Sequence, residues 1–153
     1  MKSVLISIKP EWCEKIVNGK KTIEVRKNKP KLETPFKCYV YCTQGMNLWL
    51  AGIKGKREIQ KLNGQVIGEF ICDEVYPIRV LESGTIRDWD YYNLYESCLS
   101  FYEMAEYIGA GNTGYAWHIS DFVLYDKPKE LSEFYCRKQL TRPPQSWCYV
   151  EDK

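Results

Sequence analysis

Period-two stretches of β-branched and aromatic residues recur along this chain, and the segments between them are too short and too irregular for repeated β-α-β units. Val4, Ile6 and Ile8 alternate with Leu5, Ser7 and Lys9, as in a strand that shows one face to a core. Pro10 then opens a stretch with Trp12, Ile16 and Val17 at helical spacing, and Asn18-Gly19 closes it as a C-cap. Alternation resumes over 22–26. Residues 37–43 and 65–75 hold the usual strand vocabulary, 115–125 is a long strand, and 145–150 after Pro143-Pro144 is a last one. Ser100-Phe101-Tyr102-Glu103 has the form of a capping box opening a short helix. The pattern predicts an α+β or barrel-like fold, because closing the sheet would also remove exposed strand edges.

Residues 1–153 are expected to form one domain, since a chain of this size buries about 70% of its unfolded surface around a single core. With 44% hydrophobic and 27% charged residues it lies outside the composition of disordered chains. Lys and Arg number 22 against 20 Asp and Glu, so a formal charge of +2 supplies no global pull on a polyanion, and any basic surface must be local. The first residues turn polar at Lys9 and Glu11 without the apolar run of a signal peptide or membrane span, which leads us to expect a cytoplasmic protein with no membrane partner. The seven cysteines are odd in number, form no C-x-x-C pair and sit mostly in apolar stretches, so they read as buried thiols and not as a zinc site.

The segment with the most chemistry is Gly19-Lys20-Lys21-Thr22-Ile23-Glu24-Val25-Arg26, which follows G-x-K-x-x-E-x-R. Ile23 and Val25 would anchor a strand in the core while Glu24 and Arg26 project together from its other face, about 7 Å apart. Arginine offers a planar fork for phosphate or a base edge, lysine a mobile charge, and glutamate an acceptor for an exocyclic amine. Strict alternation points Lys21 away from Glu24 unless the turn after Gly19 redirects it, and Lys20 is then the substitute. The plainer reading is an exposed Glu24–Arg26 ion pair, worth under about 1 kcal/mol.

This motif resembles the signature of the ASCH family. Ile6-Ser7-Ile8-Lys9-Pro10-Glu11-Trp12, Val66-Ile67-Gly68-Glu69-Phe70 and Gly114-Tyr115-Ala116-Trp117-His118-Ile119 are similar to its other segments, so the resemblance covers most of the chain. It implies a PUA-like β-barrel with a few short helices and a cleft beside the motif. Family members include RNA-binding proteins and hydrolases or nucleases. The resemblance therefore implies binding of RNA, other nucleic acid or a nucleotide-like molecule by Lys9, Lys20, Lys21, Thr22, Glu24, Arg26, Trp117 and His118. Lys21 and Glu24 would serve catalysis if the chain is a hydrolase. The amidohydrolase branch that deacetylates an N-acetylated cytidine is similar at Lys21, but its threonine nucleophile falls where this chain has Glu24, and Thr22 stands elsewhere. A third reading is a phage-type adaptor for another protein.

Outside the motif, Lys54, Lys56, Arg57 and Lys61 outnumber Glu58 and mark a basic segment, with Lys54 and Arg57 as candidate phosphate contacts. Five tryptophans and 12 tyrosines supply stacking surfaces for unpaired bases, with Trp49 and Trp147 expected to be the exposed tryptophans. His118 is the single histidine, which excludes a multi-histidine metal site. The 109–114 loop leads into a strand and lacks the P-loop lysine, so it reads as a turn. No spacing among Asp73, Glu74, Asp88, Asp90, Glu103 and Glu106 singles out a carboxylate pair, and neither a metal nor a cofactor is expected.

Overall fold

The computed structural model describes residues 2–44, 62–87 and 91–151. Strand β1 (Lys2–Ile8) leads into helix α1 (Pro10–Val17), followed by β2 (Ile23–Arg26) and β3 (Phe36–Cys42). A long β4 (Gln65–Arg79), helices α2 (Tyr91–Ser97) and α3 (Phe101–Ile108) and a long β5 (Thr113–Lys129) come next. Two-residue strands β6 (Tyr135–Cys136) and β7 (Lys138–Gln139) form a small hairpin, and β8 (Trp147–Glu151) is last. Six strands pair in the order β2-β5-β4-β3-β1-β8. The β1–β3 pair is parallel and the other pairs are antiparallel.

The expected closed barrel does not form: among the described residues, β2 and β8 are the free edges of the ladder. Arg26 on β2 nevertheless donates to the Ser7 carbonyl of β1 and to Ser146 just ahead of β8, so the sheet curls far enough to bring its edges together. Side chains fill the seam, where the four-residue β2, paired with β5 on its one edge, makes no backbone ladder with the strands across from it among the described residues. Strand pairing between β4 and β5 shifts register three times, which bends the sheet. Gly68 allows the two strands to close up there, since a Cβ would lie 2.3 Å from the Val123 carbonyl oxygen.

The core divides about the seam. Val4, Ile6 and Ile8 of β1 pack with Cys13 and Ile16 of α1, Phe36, Val40, Phe70 and Trp117. Ile23 and Val25 face the other way, against Ile78, Val80, Met104, Ile108 and Ala116. Alternation along β2 thus sends its two aliphatics under α3, leaving Glu24 and Arg26 to the seam. The Ser100 capping box forms as read, with the Ser100 hydroxyl accepting from Glu103 N–H and the Glu103 carboxylate from Ser100 N–H. Helix α2 and the β6–β7 hairpin are additions that the sequence pattern did not show.

A cleft built on a buried charge triad

At the end of α1, the Lys15 carbonyl accepts from both Lys20 N–H and Lys21 N–H, at 2.9 and 3.1 Å, and Gly19 adopts φ +75°. A left-handed residue is inexpensive only for glycine, and it turns the chain back so that Lys21 lies outside β2 and under α1. The Lys21 ammonium therefore does point at Glu24, 3.3 Å from Oε1. It also donates to the Ser97 carbonyl at 2.5 Å and sits 5.0 Å from the centre of the Trp12 ring.

Arg26 takes the other carboxylate oxygen. Its Nε and Nη2 donate to Glu24 Oε2 at 3.2 and 2.5 Å. Nη2 also donates to the Ser7 carbonyl at 2.8 Å, and Nη1 to Ser146 Oγ and O at 3.1 and 3.3 Å. Every guanidinium nitrogen is engaged. Lys21, Glu24 and Arg26 are 2%, 6% and 9% exposed, so this is a buried network and not a surface ion pair. Burial pushes the Glu24 carboxyl up, but the Arg26 and Lys21 charges and their hydrogen bonds outweigh it and hold the group below its ordinary range.

Above the triad opens a cleft of about 620 Å³ between β1, α1, β2, α3 and the loop before β8. Its walls carry Lys9, Lys21, Arg26 and Lys27 against Glu24 and Glu103, with Trp12 and Tyr107 as aromatic surfaces. Glu103 is committed to capping α3, and the hydrogen bond from Ser100 N–H holds its carboxyl low. Ser7, Asn28, Gln145 and Ser146 add polar groups. Of the residues read from the motif, Lys9, Lys21, Glu24 and Arg26 come together here. Lys20 and Thr22 flank the site without lining it; the Thr22 N–H donates to the Glu96 carbonyl, docking the motif turn on α2.

Trp117 and His118, expected among the binding residues, do not line the cleft. Trp117 is fully buried, in contact with Phe36 and Trp147, and its Nε1 donates to the Asn28 carbonyl. His118 lies on the opposite side of β5, its Nδ1 2.6 Å from Asp73 Oδ1, and is absent from the cleft. Trp147, expected to be exposed, is half-buried and donates to Asn28 Oδ1 at 2.8 Å. Lys54, Arg57 and Trp49 lie outside the described residues.

Three contributors were missed in the sequence. Trp12 reads as a core position of α1, yet its exposed part lines the cleft. Ser146 carries no motif. The run Arg26-Lys27-Asn28-Lys29-Pro30-Lys31, four cations in six residues with no acid, is the sequence signal for Lys27 and is separate from the basic segment around Lys54.

A family model, the ASCH domain, matches residues 6–127, which spans β1 through most of β5 and includes the whole triad. The chain belongs to the ASCH domain family. No curated protein matches it. Among solved structures, the ASCH protein of Zymomonas mobilis superposes with a TM-score of 0.69 at 21% identity, covering 97% of this chain and 87% of that one. Two single-residue variants of the same Zymomonas mobilis protein each give 0.68, at 21% and 20% identity, covering 99% and 97% of this chain and 91% and 88% of theirs. At this identity the comparison establishes the ASCH fold, with its mixed six-stranded sheet and few helices, and leaves the chemistry of the cleft to its own residues.

Proposed function

We propose that the cleft binds a nucleotide or a nucleic-acid segment, with phosphate drawn to Lys9 and Lys27 and a base laid against Trp12. The observation that carries this reading is the lining itself: four cationic side chains against two carboxylates, both carboxylates already committed to protein partners, beside two aromatic rings. An anion entering this space meets surplus positive charge, and a planar base finds a π-face worth about 1–3 kcal/mol. The triad's part is chiefly to shape the floor. Arg26 can reach a ligand only by giving up Ser146, Ser7 or Glu24.

A hydrolase using Lys21 and Glu24 finds less support in the geometry. Glu24 is held ionised with both oxygens engaged, whereas a proton donor needs a raised pKa. Lys21 is tied to a carboxylate and a carbonyl.

The test should spare the buried triad, whose loss would unfold the site. Fluorescence anisotropy of labelled single-stranded RNA, duplex RNA and DNA, with competition by nucleoside monophosphates, is compared for wild type, Lys9→Ala and Trp12→Leu. Trp12→Leu is expected to weaken binding about tenfold, as loss of one stacked base would give, and Lys9→Ala to weaken it and make it less salt-dependent, as loss of one phosphate contact would. Affinities equal to wild type in both would remove the cleft as the site.

A further inference from the structure

We propose that the loop following β2 is a rigid phosphate-tracking ridge, so that the ligand is a single nucleic-acid strand running out of the cleft and not a free mononucleotide. This rests on the cleft reading above. Along 27–31 the residues alternate in role: Lys27, Lys29 and Lys31 are exposed, while Asn28 and Pro30 fasten the loop. Asn28 receives two indole N–H groups, from Trp147 on its side chain at 2.8 Å and from Trp117 on its carbonyl at 3.4 Å. Pro30 is buried, and Lys31 N–H donates to the Tyr149 hydroxyl at 2.7 Å. A solvated lysine run has no need of such anchoring.

The ridge starts inside the cleft and leads away from it. Lys27 lines the cleft with its ammonium 5.2 Å from the Tyr107 ring centre, Lys29 lies over Tyr115 at 5.5 Å, and Lys2 lies over Tyr149, the ring that also holds Lys31. Each of these ammonium groups lies within 5.5 Å of a ring centre, a cation–π contact that orders the side chain without neutralising its charge. Among the described residues, none of Lys27, Lys29 and Lys31 pairs with a carboxylate, so all three charges are available to a polyanion. Acids resume at Glu33 and at Glu151 beside Lys2, which limits the ridge to a few phosphates. On the opposite wall Glu103 of α3 lines the cleft and repels a phosphate backbone, which favours exit along the ridge.

The experiment measures affinity for oligoadenylates and oligouridylates of one, three, six and twelve nucleotides, using wild type and Lys29→Gln/Lys31→Gln, two positions outside the cleft. Wild-type affinity should rise with length, and the double variant should lose that rise while binding mononucleotides as before. Two lost phosphate contacts reduce the salt slope by about 1.4, so from 50 to 200 mM salt wild type should lose about sevenfold more affinity than the variant. Affinity flat with length, or a variant equal to wild type on the 12-mer, overturns the ridge; mononucleotide binding would then leave the cleft reading intact. Length-dependent binding lost in the double variant but unmoved by Lys9→Ala and Trp12→Leu supports the ridge and overturns the cleft as its origin. Polyglutamate competing as strongly per charge, with the same loss in the variant, overturns the nucleic-acid assignment in favour of an acidic protein.

Discussion

Arg26 on β2 and Ser7 on β1 are joined by a hydrogen bond from Nη2 to the Ser7 carbonyl at 2.8 Å, across the seam that the backbone ladder leaves open. The same guanidinium holds Glu24 and Ser146, so one side chain ties a sheet edge, the charge triad and the loop before β8. The cleft lies on top of this knot, and its shape depends on it.

Arg26→Lys keeps the charge but not the fork. An ammonium has three donors on a flexible stem and cannot span Glu24, Ser7 and Ser146 at once. At least one buried acceptor is left unpaired, and a stability loss of about 1–3 kcal/mol is expected. Urea denaturation measures it, with the m-value unchanged if the sheet itself survives. A variant as stable as wild type would show that the seam does not depend on this residue.

Glu24→Gln leaves two buried cations facing each other without the carboxylate. Removing one partner of a buried network costs about 3–5 kcal/mol, so this variant should be less stable than Arg26→Lys or fail to fold. Returning the triad to the single net positive charge of wild type with Glu24→Gln/Lys21→Met should recover part of the loss, because the methionine stem can pack against Trp12 without a charge. Denaturation midpoints of the single and double variants decide it: no recovery would mean that the cations are not what destabilises the single variant.

Much of this arrangement was legible in the sequence, for identifiable reasons. Ile23 and Val25 fix β2's facing through alternation, and Gly19 marks the turn, so the triad's members could be named. What pattern reading lacks is the third dimension at the seam. Ser7 and Ser146 are 139 residues apart and look like ordinary small polar residues, and nothing local shows that Arg26 will hold both. Trp117 and His118 adjoin a motif segment, and the register Glu24↔Trp117 does put the indole on Glu24's face of the sheet, but Phe36 and Trp147 pack it into the core, while the imidazole faces the other way and meets Asp73. The barrel was overread for a similar reason: alternation reports which strands have a buried face, not whether the first and last strands meet.

The depressed Glu24 carboxyl also sets an acid limb of stability. A group with a folded pKa below its unfolded value stabilises above the unfolded pKa, near 4.5 here, and loses that contribution as pH falls through the folded pKa. Wild type should therefore lose stability below about pH 4.5 more steeply than Glu24→Gln, whose amide does not titrate. The gap between them, followed by urea midpoints from pH 7 to pH 3, should narrow towards acid. A constant gap would mean that Glu24 titrates alike in both states, contrary to its placement between Lys21 and Arg26.

Thiol chemistry gives an independent check on the packing around the site. Cys13, Cys38, Cys42 and Cys72 are buried, while Cys98, Cys136 and Cys148 are half-buried. Burial pushes the Cys72 thiol up to about 12 and Cys148 up to about 11, so neither offers much thiolate at pH 8. Cys98 occupies the corner between α2 and α3 at φ +62°, beside the Ser97 carbonyl that receives Lys21, and its Sγ donates to the Lys20 carbonyl. With a disulfide reagent at pH 8, the native protein should show two fast thiols, Cys98 and Cys136, and all seven cysteines only after denaturation. Cys98→Ser should remove one fast equivalent. Modifying Cys98 should loosen the corner and expose Lys21, registered as a lower denaturation midpoint; four or more fast thiols in the native state would show that the core beneath the triad is open to solvent.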